Sequence, residues 1–308
     1  NKYDGVNIND LTFVSNTNIS DKGFINDYNF ILKNVNTDGE RSSIYKNEMD
    51  QKLLTKIIIN SKYPLSKIND NQVSYFTPSL SARFSPNKNR NIKNKDIRVE
   101  YLNLFDRDRL QEKDILEGGE SLTLGFDYKI TDKQNTDLLE LSAGQVFRLQ
   151  ENDDLPLNTT IGQTRSDIIG KLKLIPSDIM KLNYSYIVDN DFKDINYNFV
   201  ETDFVFNKIN TSFKFLESKD FLGEKSYLSN ETSININTNH SIGFGTNKNL
   251  DINLTEYYDL VYQYNNDCLT AAIEYKKSYY KDVDIEPDEN IYFSIVLPFG
   301  KINSPTIN

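Results

Sequence analysis

Few residues in this 308-residue chain can make or break bonds. There is one cysteine, Cys268, and one histidine, His240. A single cysteine excludes an internal disulfide framework and a cysteine-rich zinc module. A single histidine leaves little for histidine-based metal or acid–base chemistry. Ser241 follows His240, but neighbouring side chains of a strand point to opposite faces, so the pair is not a hydrolytic dyad. Gly118-Gly119 lacks the Gly-Lys-Ser/Thr of a phosphate loop and reads as a turn or strand entry. Asp282, Asp284, Glu286, Asp288 and Glu289 crowd one loop. Alternate oxygen ligands suit Ca²⁺, but the EF-hand glycine is missing and Pro287 interrupts, so a solvated acidic loop is expected. The expectation is no catalytic residue, no metal and no cofactor.

Composition narrows the class. Lys+Arg 35 against Asp+Glu 45 gives a net charge of −10 and a pI near 4.8. No basic excess is available to release phosphate counterions, which argues against a nucleic-acid binder. Hydrophobic residues make up 38% and mean hydropathy is −0.58, thin for a water-soluble core of this size. Tyr 19 and Phe 18 argue against disorder. No apolar run approaches the roughly 18 residues of a transmembrane helix. The sequence opens on Asn1, and a fragment or processed product is expected.

The dominant signal has period two. From Ser121 to Lys129 every even residue is apolar or aromatic, and every odd one is polar, charged or Gly. Leu182, Tyr184 and Tyr186 alternate with Asn183 and Ser185; Ile195, Tyr197 and Phe199 alternate with Asn196 and Asn198. Ile209, Phe213 and Phe215 oppose Asn210, Ser212 and Lys214, and Ile291, Phe293, Ile295, Leu297 and Phe299 make a last apolar face. The spacing predicts about fifteen strands, near 8–16, 22–34, 50–60, 72–85, 117–130, 136–149, 166–175, 178–189, 195–206, 209–219, 226–237, 239–247, 251–264, 267–280 and 288–299. Short links fall at Pro176-Ser177, Asn207-Lys208, Asn237-Thr238 and Asn265-Asn266. Longer ones fall at 35–49, 86–116, 150–165, 189–194, 219–226 and 281–287. Exceptions are 61–71, long for its rim, and 247–250, short for its rim. Short turns on one rim and long loops on the other fit an all-β antiparallel meander forming part of an outer-membrane β-barrel. Such a barrel turns its apolar face to lipid, so Thr123, Asp127, Asn183, Ser185, Asn196, Asn198, Ser212 and Lys214 are expected to line a wet lumen. Tyr257, Tyr258, Tyr264, Tyr275, Tyr279 and Tyr280 near strand ends suit a headgroup belt, although β-propensity explains each one as well.

The C-terminal segment runs from Tyr257-Tyr258-Asp259-Leu260 through Asn265-Asn266-Asp267-Cys268-Leu269 and Asp284-Ile285-Glu286-Pro287-Asp288 to Phe293-Ser294-Ile295-Val296-Leu297-Pro298-Phe299-Gly300. It resembles the C-terminus of the LPS-assembly outer-membrane protein family (LptD, OstA). Pro78-Ser79-Leu80-Ser81-Ala82-Arg83-Phe84-Ser85-Pro86-Asn87 resembles it too. So does Asn103-Leu104-Phe105-Asp106-Arg107-Asp108-Arg109-Leu110 with Glu117-Gly118-Gly119-Glu120-Ser121. The resemblance implies a barrel of more than twenty strands in the cell outer membrane that places lipopolysaccharide in the outer leaflet. Residues 1–308 would be its C-terminal part, a single domain lacking the N-terminal periplasmic jellyroll and the first strands. Implied partners are lipopolysaccharide, an LptE-type lipoprotein plug, an LptA-type periplasmic bridge and the barrel-assembly machinery. The resemblance implies that Cys268 pairs with a cysteine outside this chain, a free half-buried thiol being the alternative. It also implies a lateral lipid exit at the last strand, with Ile291, Phe293, Ile295, Leu297 and Pro298 at the seam. Pro298 would weaken pairing there by donating no ladder hydrogen bond, or it merely ends a strand.

The expected function is a non-enzymatic translocon, with the headgroup passing through the lumen and the acyl chains leaving at the seam. A diffusion porin or uptake barrel is one alternative; a soluble secreted adhesin or carbohydrate-binding β-protein is another.

Overall fold

A computed structural model describes residues 3–88, 90–220, 223–281, 286–297 and 300–303. Eighteen strands, β1 to β18, account for most of them. They are β1 Tyr3–Val14, β2 Asn18–Ile19, β3 Ile25–Glu40, β4 Asp50–Lys62, β5 Leu65–Ile68, β6 Gln72–Ser85, β7 Gly119–Asp132, β8 Asp137–Arg148 and β9 Ile168–Ser177. Then come β10 Met180–Val188, β11 Ile195–Phe206, β12 Ile209–Asp220, β13 Gly223–Asn235, β14 His240–Asn249, β15 Leu254–Asn265, β16 Thr270–Ser278, β17 Glu289–Leu297 and β18 Gly300–Asn303. One helical turn, α1 (Tyr101–Leu104), and a 3₁₀ turn at Thr160–Gly162 complete the described elements. The fold is an all-β antiparallel meander, and the fifteen long strands coincide with those the alternation predicts.

The differences lie at the links. β3 continues to Glu40 and β12 and β13 run to Asp220 and from Gly223, so 35–40 and most of 219–226 are strand rather than loop. Pro176 and Ser177 belong to β9, and the turn is Asp178-Ile179. The 61–71 link carries β5, which folds back on β6. Tight turns form where the local chemistry permits: Asn207 and Asn135 take φ of 49° and 65°, a left-handed region that Asn enters more readily than most residues. The Asp132 carboxylate caps its turn by accepting from the Gln134 and Thr136 backbone N–H groups at 2.8 Å.

The chain divides into two compact units. The first comprises Asn1–Lys171 with Ile187–Ile195. In it β1 pairs with β3, β3 with β4, β4 with β6, β6 with β7 and β7 with β8. Phe30, Ile57, Ile59, Phe84, Leu122 and Leu124 are exposed on one face. The other face is covered. The 86–118 segment folds onto it, burying Ile92, Val99, Tyr101, Leu104, Leu110, Ile115 and Leu116, and Leu155 and Ile161 of the 149–167 segment are buried with them. Leu116 packs with Ile31, Val35, Leu54 and Ile58 of β3 and β4. A wet surface is therefore not what stands behind Thr123, which is fully buried.

The second unit comprises Leu172–Tyr186 and Asn196–Asn308. Its strands from β11 to β18 pair in chain order. Register sorts the side chains cleanly. Phe213, Phe215, Leu228, Ile242, Phe244, Leu260, Tyr262, Ile273, Phe293 and Ile295 share one face, because each lies opposite or alternates with the next. Ser212, Lys214, Ser229, Glu231, Gly245, Asn247, Asp259, Gln263, Glu274 and Ser294 share the other.

Candidate functional site

The expected lumen residues divide between the two faces. Thr123 lies on the covered face of the first unit, where Arg109 Nη1 donates to its hydroxyl at 3.1 Å. Asp127 shares that face and accepts from Ser142 Oγ at 2.7 Å. In the second unit Asn183 donates to Glu201 at 3.3 Å, and Glu201, Lys214 and Glu231 form a chain of ion pairs at 3.7 and 3.6 Å. A cleft of about 840 Å³ opens over the polar face near Ser212, Glu231, Gly243, Gly245 and Asp259. Ser185 alternates with Tyr184 and so follows Asn183.

Asn196 and Asn198 do not join them. Asn198 stands opposite Glu217, on the face of Phe213, accepts from the Tyr184 hydroxyl at 2.7 Å and donates to Glu217 at 3.0 Å. Tyr197, expected on the apolar face, lies on the polar side opposite Ser218 and is buried to 6% exposure. The reason is a phase change within β11. Apolar residues occupy odd positions through Phe199, whereas beyond it Val200, Phe204 and Phe206 stand at even positions and Glu201 and Asp203 at odd ones, while a strand without a bulge keeps one parity. The Glu201 and Asp203 half, paired with Lys214 and Ser212, sets the phase.

At the expected seam, Ile291, Phe293, Ile295 and Leu297 alternate along β17, and Ile291, Phe293 and Leu297 are exposed. β17 pairs with β16 from Lys277↔Glu289 to Thr270↔Val296. It is not the last strand: β18 pairs with Ser294–Leu297. Pro298 and Phe299 lie outside the described residues, as do Asp282 and Asp284 of the acidic loop. Glu286 pairs with Lys281 at 3.0 Å and Glu289 with Lys277 at 3.2 Å. Among the described residues no cluster of acidic, His or Cys side chains has the makings of a metal site. Cys268 is an exposed free thiol in the 266–269 link that leads into β16, two residues before the strand begins at Thr270, whereas the predicted strand 267–280 included it. His240 shares a 2.6 Å hydrogen bond with the Tyr262 hydroxyl on the apolar face, and Ser241 is on the other.

The most developed polar site is one the sequence motifs contained without revealing its geometry. Glu117, next to β7, is buried with Arg109 of the 86–118 segment and with Arg83 and Arg148 of the strands. Arg109 donates through Nε at 2.7 Å and through Nη2, and Arg148 Nη2 donates to the same carboxylate. Arg83 Nη1 stands 3.9 Å away. Burial pushes the Glu117 carboxyl up, but the Arg109, Arg148 and Arg83 guanidiniums outweigh it and hold the group well below the usual carboxylate range. Strand cations also grip the segment's backbone. Lys33 Nζ donates to Lys113 O at 2.6 Å, Lys56 Nζ to Arg107 O at 2.7 Å, Arg83 Nη2 to Leu104 O at 3.2 Å and Arg148 Nη1 to Gly118 O at 3.0 Å. Asp114 accepts from Tyr45 and Arg90, each at 2.9 Å; burial raises its carboxyl, but these two donors bring it below its ordinary value. Burial and the Asp114 bond push the Tyr45 phenol up to about 12.

Two glycines complete the seat. Gly125 and Gly144 are register partners on the covered face. A Cβ on Gly144 would stand 2.6 Å from Leu104 Cδ2, and one on Gly125 2.8 Å from Ala143 O and 2.9 Å from the Phe105 ring. Their missing side chains make the notch that admits Leu104 and Phe105. Basic residues at inward positions of strands (Lys33, Lys56, Arg83, Arg148) were the available sequence signal, since a strand interior rarely carries them unless they are paired.

Among curated proteins none matches this chain. Among solved structures, the siderophore receptor PirA from Acinetobacter baumannii is similar at TM-score 0.48 and 7% identity, over 96% of this chain and 57% of that one. A mutant of the Rh. blastica porin is similar at TM-score 0.37 and 8% identity, over 84% of this chain and 85% of that one. The chain thus spans little more than half the length of the receptor. The family model described as LptD, LPS transport system D, matches residues 62–220, just over half of the sequence. That span holds β5 to β12 and the whole 86–118 segment with its Glu117 ion cluster, and by it the chain belongs to the LPS transport system D (LptD) family of outer-membrane β-barrel proteins.

Proposed function

We propose that this chain is the C-terminal part of a translocon barrel that inserts lipopolysaccharide into the outer leaflet. The headgroup moves along the polar face, which lines the lumen, and the acyl chains leave between strands near Ile291, Phe293, Ile295, Leu297 and Pro298. No bond is made or broken, and the work comes from upstream machinery. A periplasmic jellyroll precedes the barrel, an LptA-type bridge delivers lipid to it, an LptE-type lipoprotein plugs the lumen and the barrel-assembly machinery inserts the chain. Cys268, exposed in its turn, bonds to a cysteine N-terminal to the barrel.

The observation that carries this reading is the family match across residues 62–220. The two-sided register of β12 to β17 supports it, since an apolar lipid face and a polar lumen face are what a water-filled membrane barrel needs. The test is depletion of the protein in its cell with labelling of surface lipopolysaccharide, and a photo-crosslinker at Phe293. Surface lipopolysaccharide should fall and the crosslinker should capture it. Unchanged surface lipopolysaccharide with a steady open conductance in planar bilayers would instead make the protein a porin.

A further inference from the structure

Across the covered face of the first unit, Arg83 of β6, Ser121 of β7 and Arg148 of β8 stand side by side in register. Lys56 lies on the adjacent β4, on the same face. All three cationic side chains are buried. The anion between the two guanidiniums comes from the chain itself: the Glu117 carboxylate, with Arg109 as its third cation. Asp106 and Asp108 on the same segment are the other acids facing Arg83 and Lys56. The remaining partners of the strand cations are neutral backbone carbonyls.

This occupant leaves donors unused. Arg83 Nε and Nη1 make no hydrogen bond, and neither do the Ser79, Ser81 and Ser85 hydroxyls, all buried on the same face of β6. Leaving buried donors unpaired costs free energy, so a fold that keeps them has a reason to. A carboxylate offers two oxygens. A phosphate monoester offers three and more charge, and would engage the same guanidiniums with hydroxyls to spare.

We infer that Lys56, Arg83 and Arg148, with the Ser85 hydroxyl next along the same face from Arg83, form a binding site for a phosphate group of the glycolipid headgroup, and that Glu117 on the 86–118 segment occupies it in the absence of that headgroup. The site rests on the lipopolysaccharide reading above and gives it a place. The segment exchanges one anion for another as it lifts from the wall.

The experiment is binding to full-length protein in detergent micelles, with fluorescent bis-phosphorylated lipid A, its dephosphorylated form, and inorganic phosphate as competitor. Wild type should prefer the phosphorylated form by roughly tenfold, the scale of one charge-assisted hydrogen bond. Glu117→Gln should bind it several-fold tighter, since the resident anion is gone. Arg83→Met and Arg148→Met should bind both forms alike, and Arg83→Lys should keep part of the preference. Folding is read from heat-shifted gel mobility. A misfolded variant does not bind more tightly, so the Glu117→Gln gain decides the matter even if Arg83→Met fails to fold. Equal binding by Glu117→Gln and wild type, or a preference that survives Arg83→Met, overturns the inference alone. Millimolar inorganic phosphate displacing the lipid completely also overturns it, because the site would then take free phosphate. Wild type binding neither lipid form would bring down the lipopolysaccharide reading as well.

Discussion

Glu117 is the residue on which the covered face turns. Its carboxylate is the shared partner of two strand-borne guanidiniums and one from the 86–118 segment. Removing one member of a buried ion cluster leaves the others charged and unpaired, which costs about 3–5 kcal/mol. Glu117→Ala should therefore release the segment, seen as rapid proteolysis between residues 88 and 118 in folded protein. The pH dependence has a definite sign. The folded carboxyl lies below its ordinary 4.5, so its stabilising effect is complete above that value and is lost only as pH falls through the lower folded one. Asp108 acts in the opposite sense: burial raises its carboxyl against the pull of Lys56 and Lys33, so its ionisation weakens docking above the ordinary 3.8. The chain has no tryptophan, so Tyr101→Trp supplies a lone reporter in the buried turn. Its emission should hold steady from neutral pH to 4.5 and shift only in stronger acid, with that shift absent in the Glu117→Gln background.

At the scale of elements, the α1 turn and the β7–β8 hairpin form one docking joint. Leu104 is fully buried and enters the notch at Gly144. Leu104→Ala should cost about 2–5 kcal/mol of docking through the cavity it leaves. Gly125→Ala puts a methyl against backbone and an aromatic ring, and about 1–3 kcal/mol of overpacking is expected. Gly243→Ala is the control: its nearest neighbour, Val261 Cβ, would be 3.7 Å away, so it should be neutral. Urea midpoints of the heat-shifted gel band measure all three. β11 makes a different point about elements. Its first half taken alone gives the wrong phase, and pairing with β12 corrects it, because a strand committed at Glu201 and Asp203 is committed along its length.

For the whole molecule, the outer membrane makes the register testable. Spin labels at Leu124, Phe213 and Ile295 should meet oxygen in lipid, and labels at Lys214 and Ser294 should meet a water-soluble nickel reagent. A label at Asn198 should follow the Phe213 face. A label at Thr123 should reach neither reagent while the 86–118 segment is seated, and should become accessible to nickel in Glu117→Ala. Reversed accessibility at Phe213 and Lys214 would refute the assignment of faces. The exposed Cys268 gives a second check: cell-derived full-length protein should run faster on a non-reducing gel, and Cys268→Ser should abolish that shift where no other bridge forms.

The strands were legible because alternation and turn residues are local signals. A period of two over nine or more residues, punctuated by Asn and Asp, needs no distant contact to be read. The apolar and polar faces of β7, β12 and β17 follow from the same pattern. The 86–118 segment was not legible. Lys33 meets Lys113 across 80 positions and Lys56 meets Arg107 across 51, and no periodicity encodes such meetings. The segment has the length of a surface loop, and its apolar residues show no regular spacing. Sequence alone determined that this chain alternates into some fifteen long strands with two unlike faces. The tertiary structure decided which parity of β11 faces which side, and that protein rather than water covers one polar face. The physical reason is the same in both cases: parity within a strand is local, whereas register and burial belong to pairs of segments far apart in the chain.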